Sequence, residues 1–112
     1  HNIKSSEYVV KALEYINANY HKNLSLDEVA GKVYLSSFYF SKIFKEHTGK
    51  SFTDYLIELR LRKAAELLST TTKTVRTICE LTGFNSQQYF ALQFKKYFGL
   101  TPTRYRIEHS TN

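Results

Sequence analysis

Apolar residues recur along this chain three and four positions apart, and nowhere in a sustained every-other-residue alternation. That spacing predicts an all-α fold of about seven helices. The first runs over about residues 6–19, with Val9, Ala12, Leu13, Ile16 and Tyr20 as its apolar stripe, and His21-Lys22-Asn23 breaks it. Ser25-Leu26-Asp27-Glu28 is a capping box opening a short second helix through Val29, Ala30 and Val33. Residues 32–35 turn into a third helix over 36–49. Ser51 with Asp54 signals the longest helix, over about 52–69, packed through Leu56, Leu59, Ala64, Leu67 and Leu68. After a polar break at 69–73, Thr74 caps a helix over 75–82, and Gly83-Phe84 turns into a sixth over 86–99. Thr101 as cap with Pro102 as first helical residue starts the last, to about Glu108, and His109 to Asn112 are expected to fray.

The third and sixth helices are the same element written twice. Ser36 pairs with Ser86, Tyr39 with Tyr89, Phe40 with Phe90, Phe44 with Phe94, Lys45 with Lys95 and Gly49 with Gly99. The register continues through Thr53/Thr103, Tyr55/Tyr105 and Ile57/Ile107. Upstream, Val29-Ala30 corresponds to Ile78-Cys79 and Leu35 to Phe84, with one residue inserted at Asn85. The small residue of each pair, Ala30 or Cys79, falls where two short helices approach closely. Each copy opens on a Ser suited to an N-cap and closes on a Gly suited to the left-handed turn. The organisation expected within one domain, 1–112, is therefore a helix-turn-helix unit over 6–50, a connecting helix over 51–69 and a second unit over 74–109. The connector is a rod of about 26 Å.

In the first copy, Tyr39, Phe40, Ile43, Phe44 and His47 share one face, expected to be core. The opposite face, with its flanking cap, holds Ser36, Ser37, Phe38, Ser41, Lys42 and Lys45; a bare ring among cations suits a surface meeting something anionic and stacked. The second copy presents Asn85, Ser86, Gln87, Gln88, Ala91, Leu92 and Lys95. A helix with such a face fits a major groove, where Lys donates to guanine and Gln pairs with adenine. Two such helices on one chain would read successive grooves, about 34 Å apart.

Composition sharpens this only in part. At 42% hydrophobic and 15% aromatic, a short chain can fill a core, which excludes a disordered or collagen-like polymer. A net charge of +6 and a pI near 9.4 favour a polyanionic partner. The single cysteine, Cys79, excludes an internal disulfide and fits a reducing cytosol, and no apolar run spans a bilayer or resembles a signal peptide. Localisation is expected to be cytoplasmic. His1, His21, His47 and His109 are scattered and make no metal-ligand spacing with Cys79. No nucleophile triad or phosphate-cradling glycine loop is present, so no enzyme, cofactor or metal is expected. Asp27, Glu28 and Asp54 are assigned to capping, and Arg60 and Arg62 either to phosphate or to a solvated face. The chain opens without Met and reads as a fragment whose missing N-terminal part would hold any ligand sensing.

Ile78-Cys79, Gly83-Phe84, Tyr89-Phe90, Phe94-Lys95-Lys96, Phe98-Gly99, Thr101-Pro102 and Tyr105-Arg106 follow one another in this order. Together they resemble the DNA-binding domain of AraC/XylS-type bacterial transcription regulators. The first unit resembles it too, in Leu26-Asp27-Glu28-Val29-Ala30, Leu35-Ser36, Phe44-Lys45 and Thr48-Gly49. The resemblance implies sequence-specific binding of double-stranded DNA by a bacterial regulator. It also implies RNA polymerase as a further candidate partner, a monomeric isolated domain, and dimerisation of the full-length protein through its N-terminal part. Two positions depart from the family pattern. Leu92 stands where a basic residue is common, beside Gln93 where an apolar one is. Phe52 stands where Pro is frequent. The rival function is a helical protein-interaction module whose Phe38/Lys42 face binds an acidic partner.

Overall fold

From the second helix on, each start signal in the sequence is a working cap in the computed structural model, which describes residues 3–110. The helices are α1 (Ile3–Asn19), α2 (Leu26–Lys32), α3 (Ser37–Thr48), α4 (Phe52–Thr70), α5 (Val75–Leu81), α6 (Gln87–Phe98) and α7 (Pro102–His109), with no strand among the described residues. The hydroxyls of Ser25, Ser36, Ser51, Thr74, Ser86 and Thr101 each accept the N–H three residues on, at 3.0–3.2 Å. Each satisfies one of the amides that a helix start leaves without an intrahelical acceptor. α3 and α6 both end at a glycine with φ of 79°, Gly49 and Gly99, whose N–H returns to the carbonyl of Lys45 or Lys95.

The ends differ slightly from expectation. α1 begins at Ile3, three residues early. α7 continues to His109, whose ring stacks on Tyr105 at 4.0 Å, and the Ser110 N–H closes back on Arg106. Neither residue starts a loose tail. Thr111 and Asn112, also expected to fray, and His1 lie outside the described residues.

The chain divides into two units, His1–Ile57 and Glu58–Asn112, with the boundary inside α4. In the first, α3 packs on α1 and α2. Val9, Ala12, Ile16, Val29, Ala30, Val33, Phe40, Ile43, Phe44, Phe52 and Leu56 are buried there. Two hydroxyls tie its helices together. Tyr15 donates to Glu28 Oε2 at 2.6 Å, which with some burial pushes its phenol above the ordinary range, and Ser37 donates to Asp27 Oδ1. This corrects the capping roles of those carboxylates: Ser25 caps through the Glu28 N–H, and the acidic side chains bind neighbouring helices instead. Asp54 likewise enters its cap through its N–H.

In the second unit α6 packs on α5 and α7. Ile78, Cys79, Phe84, Phe90, Phe94 and Pro102 are buried with Thr82, whose hydroxyl donates to the Ile78 carbonyl at 2.7 Å. Arg106 donates to the carbonyls of Leu68 (3.0 Å), Thr71 (3.2 Å) and Lys73 (2.6 Å). It supplies the positive charge that the last turn of α4 lacks.

The sequence repeat is a repeat of contacts. Phe44 and Tyr55 meet edge-on at 5.4 Å and 89°; Phe94 and Tyr105, fifty residues later, meet at 5.4 Å and 85°. Phe40–Phe44 and Phe90–Phe94 lie at 5.4 and 5.7 Å. Within α4 the buried stripe is broken: Phe52 and Leu56 precede the unit boundary, and Leu61, Ala64, Ala65 and Leu68 follow it. A single continuous stripe therefore chose Leu59 and Leu67, which are half-buried, and missed Leu61 and Ala65. Phe52, at the position where Pro is frequent in the resembling family, is buried with its ring 6.2 Å from Phe44 in the first core.

Candidate nucleic-acid interface

Each unit sets its outward helix with a turn closed by three backbone hydrogen bonds, of which the last two are equivalent in the two units. In the first, the N–H groups of Val33, Tyr34 and Leu35 bond to the carbonyls of Ala30, Gly31 and Ala30 at 3.2, 3.1 and 3.0 Å. In the second, Thr82, Gly83 and Phe84 bond to Ile78, Glu80 and Cys79 at 3.1, 3.2 and 3.1 Å. The left-handed step falls on Gly83 in the second turn (φ 93°) and on Tyr34 in the first (φ 61°). For a residue with a Cβ that conformation costs about 1–2 kcal/mol.

The buried arc of α3 is Phe40, Ile43 and Phe44, and that of α6 is Phe90 and Phe94. Opposite, Phe38 is 86% exposed, Lys42 and Lys45 are exposed and Ser41 is half-buried. Ser36 is exposed but holds the cap, and Ser37 is half-buried with its hydroxyl proton on Asp27. Two residues expected in the α3 core lie elsewhere. His47 is exposed although it shares the angular arc of Ile43 and Phe44, because it stands in the last turn of α3, past the buried residues. Tyr39 is 37% exposed at the arc's edge, its hydroxyl 3.4 Å from Ser5 Oγ.

On α6, Asn85, Ser86, Gln87, Gln88 and Lys95 are exposed, and Ala91 is half-buried. Leu92 is 67% exposed while Gln93 is half-buried, so the departure at this pair places an apolar side chain outward. Each face thus combines donors with one apolar side chain: ammonium groups and Phe38 on α3, two amides and Leu92 on α6. Amides can pair with adenine, ammonium groups with guanine, and apolar side chains with the thymine methyl. Lys45 and Lys95 also sit in the last turns of their helices, where a cation complements the helix dipole.

The arginines of α4 are engaged. Arg62 pairs with Glu58 at 2.5 Å and donates to the Tyr97 hydroxyl at 3.3 Å, and burial pushes the Arg60 guanidinium below its ordinary value. Cys79 is buried, and burial followed by the nearby Glu80 charge pushes its thiol up, away from the reactive thiolate. Among the described residues no group of three His, Cys, Asp or Glu side chains could hold a metal ion, and no helix is long and apolar enough to cross a membrane. Sequence reasoning missed Tyr34, which is 94% exposed. The signal was the repeat itself: in the register that matches Leu35 to Phe84, Tyr34 falls on Gly83.

Comparison with known proteins gives a consistent result. Residues 29–107 match the family described as helix-turn-helix domain. The chain is 40% identical over 94 residues to the transposon Tn10 TetD protein of Escherichia coli, covering 84% of this chain and 68% of TetD. It is 37% identical over 102 residues to the regulatory protein PocR of Salmonella typhimurium, covering 91% of this chain but only 34% of PocR. Among solved structures, a Chromobacterium violaceum transcriptional regulator described as AraC-type DNA-binding domain-containing superposes with a TM-score of 0.88 at 30% identity, covering 98% of both chains.

Proposed function

The chain belongs to the family of AraC-type helix-turn-helix DNA-binding domains, and we propose that it binds double-stranded DNA sequence-specifically for a bacterial transcription regulator, α3 reading one box and α6 another. The observation that carries this reading is the outward face of α3, where a bare phenyl ring, Phe38, stands among Lys42 and Lys45. Lys42 reads a base edge and Phe38 meets a thymine methyl in the first box. Gln87 and Gln88 read the second, with Leu92 on a methyl. Ser36, Ser41, Asn85, Ser86, Lys45 and Lys95 flank these readers and position them against the phosphates, while Ser37 and Ala91 line the same faces without a free donor of their own.

The domain binds rather than catalyses, and its setting is the cytoplasm, where its DNA target lies. The chain spans about a third of PocR, so signal sensing and dimerisation belong to other parts of a longer regulator, which would also meet RNA polymerase. Nothing in the comparisons supports the acidic-partner alternative.

The test starts by selecting bound sites from a random duplex pool and titrating the chain with a recovered site. Lys42→Ala should relax base preference within one box, by about 1–3 kcal/mol at the affected base pair. Equal weakening on every sequence would reduce Lys42 to a phosphate contact and withdraw its reading role.

A further inference from the structure

Tyr34 combines three observations that the fold does not need. It occupies the left-handed region at φ 61°, the one non-glycine among the described residues to do so. Its neighbours fix it there, since its own N–H and those of Val33 and Leu35 all bond back to Ala30 or Gly31. Its ring is 94% exposed, so it adds nothing to the core. The second unit shows what the turn requires: Gly83 holds the same place at φ 93°, its own N–H and that of the next residue bonded as in the first turn, and has no side chain. A strained backbone carrying a large solvent-facing side chain, where glycine serves equally well, points to a use outside the fold.

The position indicates what that use is. Tyr34 lies two residues before the cap Ser36 and three before the first residue of α3. In a helix-turn-helix the first turn of the reading helix enters the groove, so the turn before it faces the groove's rim, where the sugar-phosphate backbone runs. Tyrosine is among the side chains that donate hydrogen bonds to phosphate oxygens. From these facts we infer that Tyr34 is a phosphate anchor for the first box: its hydroxyl donates to a backbone phosphate beside the site that α3 reads. This inference rests on the duplex-binding reading above. The anchor positions and does not read, and being neutral it releases no counterion. The second unit, with glycine at this place, has no such anchor. The two boxes are therefore held unequally before any base is compared.

Two variants of the full chain test this on a duplex recovered by selection and on an unrelated duplex. Tyr34→Phe removes only the hydroxyl and should weaken binding to both duplexes by a similar factor, about two- to tenfold, as loss of one hydrogen bond does. Tyr34→Gly should weaken binding at least as much while raising the melting temperature, because the strain is relieved. In both, the slope of affinity against salt should stay that of the wild type, whereas loss of a lysine contact would reduce it by about one. Wild-type affinity in Tyr34→Phe, loss confined to the selected sequence, or a lowered melting temperature in Tyr34→Gly would each overturn the anchor. Failure of the wild type to bind either duplex at low salt would instead sink the duplex-binding reading itself.

Discussion

Arg106 gathers three carbonyls with one guanidinium, and its partners show why its role was not legible in the sequence. The Tyr105-Arg106 pair is conspicuous as a motif, but Leu68, Thr71 and Lys73 receive it through their backbone oxygens, 33–38 residues away. A backbone carbonyl leaves no mark in a sequence. Arg106→Ala should lower stability by about 1–3 kcal/mol, measured by urea unfolding, since it removes charged hydrogen bonds and leaves half-buried oxygens unpaired. Arg106→Lys should recover only part, because an ammonium group cannot reproduce the planar fork. Full recovery by lysine would mean that charge near the end of α4 matters and the fork does not. Thr82 is the opposite case. Its polarity hides a fully buried position, yet the first repeat carries Val33 at the matching place, and that alignment is enough to expose it.

Helices were legible where the local chain decides them. The capping hydroxyls, the glycine ends and the buried Phe40, Ile43 and Phe44 of α3 follow from residues within a turn or two of one another and stand as read, whereas Tyr39 and His47, read into the same core, are exposed. The stripe of α4 was not, because a helix shared between two cores has no single face, and Leu59 looks as good a core residue as Leu61. On α3 and α6 the buried arc also fixes the outward face, and Phe44→Ala and Phe94→Ala test both together. Each should cost about 3–5 kcal/mol, as truncation of a buried ring does. Against a total stability of about 5–15 kcal/mol for a small domain, either loss should appear as a large fall in melting temperature. Melting like the wild type in both variants would put the core on the other face, and the reading residues with it.

For the whole chain, the proposal is one protein carrying two unlike reading faces, so its expected target is one asymmetric site with two boxes. Ordinary helix-turn-helix proteins carry one reading helix each and dimerise on palindromes. Here a complex of one chain per duplex is expected by mass measurement, and insertion of about half a helical turn between the boxes should lower affinity toward that of one box alone. A pair of chains on a palindrome, or indifference to the insertion, would refute the bipartite monomer. Salt gives the coarser check: with roughly six to ten phosphates neutralised, affinity should fall by about 10³ or more between 50 and 200 mM salt. The first box, with two lysines and the Tyr34 anchor, should dominate the second, whose readers are neutral amides and a leucine.

The duplicated edge-on pair, Phe44 with Tyr55 and Phe94 with Tyr105, separates inheritance from innovation along each helix. One side of α3 and of α6 answers to an interior laid down in the same way in both copies, so drift there is penalised twice over by the same packing. The outer side, at Phe38, Lys42, Gln87, Gln88 and Leu92, is exposed and takes no share in that packing. A lineage built on this plan can rewrite one copy's outward residues while the other copy keeps its old target, and it can do so without renegotiating how either half folds.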